Sequence, residues 1–213
     1  DNQRLFVPIE HFDVISRYGG PDAQVALDYL GTTHFQKRKA RAQKRINDIA
    51  AHLIAIAAQR KQYTTEPVYY DVCAYDAFCQ QFPYTETQDQ TRAIQEILSD
   101  LQSGHLMDRV LCGDAGFGKT EVAMRAVFAM LAFQKQVAIL VPTTTLCKQH
   151  YDNFKQRFAD RHIEMLCRLT RDPKAIDYSA LDVLIGTHAL LSDKVCLPRL
   201  GLLVVDEEHH FGV

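Results

Sequence analysis

The chain has 213 residues, of which 47% are hydrophobic and 23% charged, so it can bury one good core and is neither disordered nor fibrous. Its formal net charge of -2 provides no overall basic surface, so any nucleic-acid contact must come from a local patch. There is no apolar run approaching the roughly 18 residues of a membrane span, no signal-peptide pattern and no C-x-x-C pair among the cysteines, so we expect a cytoplasmic protein with reduced thiols.

Residues 1–30 are predicted to be a mixed segment. We expect a short strand near Arg4–Ile9, a helical turn around His11–Arg17 and a break at Gly19-Gly20-Pro21. Such a segment is too short to fold alone. We therefore interpret it as the tail of a small β-rich domain, and we expect the whole chain to be a fragment.

A long helix is predicted from about His34 to Gln62, where Gly and Pro are absent and apolar residues recur at helical spacing. Its first half is rich in Lys and Arg and has no acid before Asp48, although the helix dipole disfavours cations near a helix start. A solvated basic face and a contact with DNA or an acidic partner are both open interpretations. Residues 31–81 are expected to form a basic connector helix followed by an aromatic-rich linker.

From Phe82 onward the sequence has an α/β pattern. Short apolar runs alternate with helical or loop stretches, and two of the intervals are long enough for crossover helices. The predicted strands are Arg109–Cys112, Val137–Val141, Ile163–Cys167, Val183–Ile185 and Leu202–Val205. Near-continuous apolar strands with such crossovers indicate a parallel sheet covered on both faces.

The segment from Gly113 to Thr120 fits the phosphate-loop pattern G-x-x-x-x-G-K-[ST] at every fixed position and predicts an ATP or GTP site. Glycines let backbone N–H groups turn around a phosphate, and the positive end of the next predicted helix, Glu121–Phe133, faces the same place. Lys119 would neutralise the β/γ oxygens, and Thr120 would offer a hydroxyl to Mg²⁺. The predicted nucleotide-binding residues of the loop are Gly113, Asp114, Ala115, Gly116, Phe117, Gly118, Lys119, Thr120 and Glu121.

A second acidic element follows the predicted strand Leu202–Val205. Asp206 would stand at the end of a strand beside the phosphate loop and hold the water shell of Mg²⁺, while Glu207 would activate the water that attacks the γ-phosphate. This arrangement favours hydrolysis over transfer to another substrate. Lys119, Asp206 and Glu207 are the predicted catalytic residues, and Thr120 and Asp206 are the predicted metal-site residues.

The run Asp206-Glu207-Glu208-His209 resembles the DExH box of the superfamily 2 helicases and translocases, and the resemblance implies a RecA-like first lobe over residues 82–213. Val141–Leu146 with Gln149-His150 is similar to motif Ia, and Ile185–His188 is similar to motif Ib. Phe82–Gln90 is similar to the adenine-reading segment. The resemblance implies nucleotide contacts from Phe82 and Gln90 and DNA-backbone contacts from Thr143, Thr144, Thr187 and His188.

Within that superfamily, Gly116–Ala126 and Asp206–Val213 look most like the bacterial transcription-repair coupling factors, and Leu5–Pro8 resembles the end of their RNA-polymerase-interaction domain. The resemblance implies a motor that tracks double-stranded DNA using ATP and Mg²⁺ and displaces a stalled RNA polymerase, whose β subunit the N-terminal segment would bind. The excision-repair protein UvrA would be a further partner. The chain departs from the family at His210, where Arg is usual, and in a shorter stretch between Cys167 and Leu181.

Other functions stay open at this point. One alternative is a polymerase-docking module with regulatory nucleotide binding, and another is a fork-remodelling helicase similar to RecG, which usually has Gln where this chain has Glu208. A small P-loop kinase is disfavoured by Glu207 and by the lack of a lid-like arginine cluster. Because motors of this class complete the site with arginines from a second lobe, we expect the isolated chain to hydrolyse ATP little or not at all.

Overall fold

The computed structural model describes residues 6–10, 33–114, 116–167 and 176–207. The chain divides into two compact units, residues 1–60 and 61–213. In chain order the helices are α1 (Thr33–Gln62), α2 (Val72–Gln80), α3 (Gln88–Gln102), α4 (Lys119–Ala132) and α5 (Thr144–Arg157). The strands are β1 (Gln136–Leu140), β2 (Ile163–Leu166), β3 (Val183–Gly186) and β4 (Leu200–Val205), and a short 3₁₀ helix covers His188–Leu191.

The long predicted helix is confirmed as α1, which starts one residue before the expected position. Its apolar residues Ile46, Ile49, Leu53 and Ile54 are all exposed. The predicted strand near Arg4–Ile9 is wrong over its described part, because residues 6–8 have no regular structure and both Phe6 and Ile9 lie exposed. The predicted turn at His11–Arg17 and the break at Gly19–Pro21 lie outside the described residues. No helix in the described part of the chain has the length and apolar character to cross a bilayer.

The second unit is built on a four-stranded parallel sheet with the order β2-β3-β1-β4. Every residue of β1 and of β3 is buried, as expected for central strands that are covered on both faces. The predicted α/β class and four of the predicted strands are therefore confirmed. Since the strands are parallel, the residues that follow β1, β3 and β4 meet at one edge of the sheet.

The helix α2 lies where the sequence predicted only a linker. Asp71 caps it by accepting hydrogen bonds from the N–H groups of Cys73 and Ala74. Phe78 of α2 is buried and stacks on Phe128 at 4.7 Å between ring centroids. The helix α2 thus belongs to the compact unit of residues 61–213. The predicted domain bounds of 1–30, 31–81 and 82–213 stay a prediction.

The predicted strand Arg109–Cys112 is wrong, because the segment before the phosphate loop has no regular secondary structure. Arg109 instead makes ion pairs with Glu96 (2.5 Å) and Asp100 (2.8 Å), both on α3. The next residue, Val110, is mostly exposed. The two ion pairs therefore tie Arg109 to α3. Because Val110 points outward, the short run buries too little apolar surface to favour a strand in the sheet instead.

Candidate nucleotide-binding site

The phosphate loop has the backbone conformation that its glycines permit. Gly116 and Gly118 have φ angles of 82° and 73°, in the left-handed region that favours glycine. Gly118 is the N-cap of α4, and no side chain caps that helix end. A Cβ at Gly116 would meet nothing within 4 Å, so the loop surface is open there. An open helix N-terminus with its first amide groups uncapped suits an anion such as a phosphate.

Lys119 lies against its own loop. Its Nζ donates to the carbonyl oxygens of Gly113 (2.5 Å) and Asp114 (3.1 Å). The ammonium group is therefore held on the side of the loop, and its positive charge also lowers the pKa of Asp206. A cation held by neutral carbonyls retains its full charge for the oxygens of a triphosphate.

The acidic half of the site is fixed by the sheet and by α5. Asp206 follows β4, and its backbone N–H donates to the carbonyl oxygen of Leu140 at 2.9 Å. Its Oδ2 lies 2.8 Å from Nε2 of His150. The hydrogen bond from His150 is the main cause that lowers the pKa of Asp206 below its ordinary value, while burial opposes it. Asp206 is thus an ionised carboxylate at neutral pH, which is the ligand type that Mg²⁺ or its bound waters prefer.

Glu207 stands next to Asp206 in a conformation that non-glycine residues rarely adopt. Its φ angle is 55°, in the left-handed region. This turn follows the end of β4, so the chain changes direction between Asp206 and Glu207. Strain of this kind is often found at functional sites, which agrees with the separate roles predicted for Asp206 and Glu207.

The segment that is predicted to read adenine contacts the phosphate loop directly. Gln90 forms a capping box with Thr87, whose N–H donates to the Gln90 Oε1 at 2.9 Å. The Gln90 Nε2 donates to the Phe117 carbonyl oxygen of the loop at 2.8 Å. Phe82 packs edge-on against Tyr84, with the ring centroids 5.5 Å apart. The prediction that Phe82 and Gln90 contact a nucleotide base stays a prediction, but the geometry links this segment to the loop.

A buried cluster of charges, which the sequence analysis missed, lies behind the loop. Arg125 of α4 is 1% exposed and pairs with Glu86 (2.5 Å) and Glu121 (2.9 Å). Arg157 of α5 also donates to Glu121 at 3.0 Å and covers the Phe78 ring at 4.3 Å. The side chain of Glu121, predicted to bind nucleotide, is thus held by two arginines. The Glu121–Arg125 spacing of four residues, on a helix otherwise rich in apolar residues, was the available signal.

The four residues predicted to contact DNA lie together at the same edge of the sheet. Thr143 caps α5 by accepting from the Leu146 N–H at 3.2 Å. An open hollow of about 480 Å³ is lined by Pro142, Thr144, Thr187, His188 and Ala189. Thr187 is buried, whereas His188 is exposed. The structure therefore brings Thr144, Thr187 and His188 to one hollow, with Thr143 beside Thr144 in the chain, and their role stays a prediction.

Some predicted features fall outside the described residues. These are Ala115 of the loop, Glu208 and His209 of the DExH box, His210, and residues 168–175 in the stretch that is shorter than usual. The described part of the site consists of Lys119, Thr120, Asp206 and Glu207 with the segments that hold them.

Comparison with known proteins places these features in a family. A family profile described as DEAD/DEAH box helicase matches residues 87–213. The chain is similar to the transcription-repair-coupling factors of Rickettsia bellii (46% identity) and Escherichia coli (44% identity), and both alignments include 100% of the chain. It covers 20% and 19% of those proteins, so it spans about a fifth of their length. A structure of RecG bound to a three-way DNA junction matches with a TM-score of 0.66 and 33% identity over 73% of this chain and 22% of that one.

Proposed function

We propose, from the premise that this chain belongs to the DEAD/DEAH box helicase family, that it is the ATP-binding part of a double-stranded DNA translocase of transcription-coupled repair. The fold is a RecA-like helicase lobe, with a parallel sheet and a structural match to RecG. The function of the longer protein, its substrates and its partners are part of the proposal.

The observation that carries the proposal is the extent of the similarity. The helicase profile accounts for residues 87–213, yet the alignments with the coupling factors include the whole chain, at 44% to 46% identity. The 86 residues before the profile match are therefore also similar to those proteins. A helicase lobe of another kind would be expected to share the lobe alone.

The site supports ATP hydrolysis with the roles that its geometry allows. Lys119 and the uncapped start of α4 would hold the phosphates, and Thr120 and Asp206 would hold the hydrated Mg²⁺. When bound, Mg²⁺ would neutralise negative charge on the phosphate oxygens. Glu207 would take up the proton of the attacking water. The glycine loop open to an anion and the ionised Asp206 both fit this ligand.

The DNA contact would use the sheet edge beside the ATP site. Thr144, Thr187 and His188 line a hollow there, and Thr143 precedes them at the start of α5. Their hydroxyl and imidazole groups would suit the phosphate backbone and would not distinguish one base from another. The chain has a net charge of -2, so this contact would be local. Translocation along any sequence requires such backbone contacts.

Further partners belong to the same proposal. The N-terminal segment would bind the β subunit of RNA polymerase, and the longer protein would recruit UvrA, in the cytoplasm. The exposed apolar and basic residues of α1 agree with a role in contacts between proteins or domains. The isolated chain is expected to be inactive or nearly so, because a second lobe would supply the arginines that complete the site.

A fork-remodelling helicase is the second candidate, and the structural match to RecG favours it. That match covers 73% of the chain at 33% identity, against 100% at 46% for the coupling factor of Rickettsia bellii. The wider coverage and the higher identity favour the coupling-factor function.

A domain swap tests the proposal. This chain would replace the aligned fifth of the Escherichia coli transcription-repair-coupling factor, and ATP hydrolysis would be measured with and without duplex DNA. We expect duplex DNA to stimulate hydrolysis by the chimera, and the same chimera with Lys119→Ala to be inactive. If duplex DNA did not change the rate of ATP hydrolysis by a correctly folded chimera, the proposal would be contradicted. If the equivalent RecG chimera hydrolysed ATP in response to DNA and the coupling-factor chimera did not, the fork-remodelling function would be favoured.

A further inference from the structure

His150 is a buried polar side chain whose function the sequence did not identify. It lies on α5, its side chain is 10% exposed, and its Nε2 is 2.8 Å from Oδ2 of Asp206. On the same face of α5, Cys147 and Phe154 are buried in the core. The helix surface that carries His150 is therefore packed, and the imidazole is held in place.

The two ring nitrogens of His150 differ in their surroundings. A carboxylate only accepts hydrogen bonds, so Nε2 is the donor to Asp206. The Nδ1 atom is buried and has no hydrogen-bond partner among the residues that the structure describes. Among the described residues, Asp206 is therefore the hydrogen-bond partner that fixes the ring.

Asp206 is consequently held through both its backbone and its side chain. Its backbone N–H is bonded to Leu140 of β1, and its Oδ2 is bonded to His150 of α5. The carboxylate also accepts the backbone N–H of Glu207, but two carboxylate oxygens offer about four lone-pair sites, so Oδ1 can still receive a ligand. Carboxylates that bind metals are commonly oriented by such a hydrogen bond from a neighbouring group.

We propose that His150 is a positioning residue for Asp206, which fixes one carboxylate oxygen so that the other receives the hydrated Mg²⁺ of a bound nucleotide. This inference rests on the proposed function, since it assumes that Asp206 serves a nucleotide-bound metal. His150 itself touches neither nucleotide nor metal in this scheme. Its effect should therefore be visible in the contribution of Mg²⁺ to nucleotide binding and not in the binding of metal-free nucleotide.

Calorimetric titration of the 213-residue chain with ADP, in Mg²⁺ and in EDTA, measures that contribution as the ratio of the two Kd values. We expect His150→Phe to reduce the ratio by about tenfold or more while leaving the Kd in EDTA unchanged. His150→Gln places an amide N–H near the position of Nε2 and should retain most of the ratio. If His150→Phe does not fold, His150→Asn serves instead, because its shorter amide does not reach Oδ2.

Phe154→Leu is the matched control, because Phe154 packs on the same face of α5, with its ring centroid 6.3 Å from that of His150. It should lower the melting temperature and leave the Mg²⁺ ratio intact. Provided that the wild-type chain binds ADP, two results would overturn the inference. One is an unchanged Mg²⁺ ratio in His150→Phe, and the other is a ratio that falls as much in His150→Gln as in His150→Phe. Failure of the wild-type chain to bind ADP in either buffer would overturn the proposed function and this inference together.

Discussion

The two halves of the candidate site are held in different ways. In the loop half, Lys119 bonds to carbonyl groups of its own loop, and the preceding residues 109–112 lie outside the sheet. In the acidic half, Asp206 continues directly from β4, which pairs with β1 along its length, and His150 holds its side chain. The loop is attached to the core mainly through α4, whereas the acid is attached through the sheet.

This difference indicates which half can adapt to a ligand. The loop residues Gly113, Asp114, Gly116 and Phe117 are exposed, and their glycines permit several backbone conformations. The backbone of Asp206 is fixed by a sheet hydrogen bond. We therefore expect nucleotide binding to depend on the loop half and the reaction to depend on the acidic half, and the predictions below test that division.

The largest expected effect is that of Glu207→Gln on turnover. In the coupling-factor chimera, removing the general base should lower kcat for ATP by about a thousandfold with little change in nucleotide Kd. Hydrolysis and ADP binding measured on the same preparation check this. Glu66→Gln, at an exposed carboxylate paired with Lys135, is the control and should change neither value. A loss of binding equal to that of Lys119→Ala would show that the two halves do not have separate roles.

Arg125→Met tests what holds the loop half from behind. Removing Arg125 leaves Glu121 with Arg157 alone and Glu86 without its partner, so we expect the free energy of unfolding to fall by about 3 kcal/mol. Urea denaturation of the chain measures it. Arg92→Met removes an ion pair to Asp89 whose side chains are 71% and 86% exposed, and it should cost less than about 0.5 kcal/mol. Similar losses in both variants would show that burial of the cluster contributes nothing.

Lys119→Ala separates nucleotide binding from stability. Loss of a charged donor to the phosphates should weaken ADP binding by about a hundredfold. The free energy of unfolding should change little, because the hydrogen bonds of Lys119 to described residues go to Gly113 and Asp114 of its own exposed loop. Calorimetry and urea denaturation of one sample give both values. Lys135→Ala, at the exposed pair with Glu66, is the control for nonspecific loss of charge. Unaltered ADP binding in Lys119→Ala would remove the loop from the site.

The sequence predicts the two central strands well because they are buried for their whole length. β1 and β3 contain no charged residue, and each was predicted to within one residue at either end. Arg109–Cys112 is also a mainly apolar run, but Arg109 pairs with two acidic residues on α3, Asp100 and Glu96, which lie nine and thirteen residues earlier in the chain. The hydrophobic pattern of four residues carries no information about charged partners elsewhere in the chain, so the strand prediction failed there.

The missed parts of the site have the same physical origin. His150 and Arg125 contact partners 56 and 39 residues away, which no local pattern connects. For His150, the sequence spacing indicates only the helix face. His150 follows Cys147 by three residues and precedes Phe154 by four, which puts these three residues on one face of α5. The phosphate loop and the strand-end acids could be recognised because each lies within a few consecutive residues, and their catalytic roles stay a prediction.

The smallest expected effect concerns the start of α5, the helix that carries His150 into the acidic half. Thr143 accepts from the Leu146 N–H, so Thr143→Ala should lower the free energy of unfolding by about 1 kcal/mol, and Thr143→Ser should restore it. Urea denaturation measures both. Because His150 lies about two helical turns along α5 and is fixed by core packing, the Mg²⁺ contribution to ADP binding should be the same in both variants. A reduced Mg²⁺ contribution in Thr143→Ala alone would mean that the position of Asp206 depends on how firmly α5 is capped, and hence that the acidic half is less rigid than its sheet hydrogen bond implies.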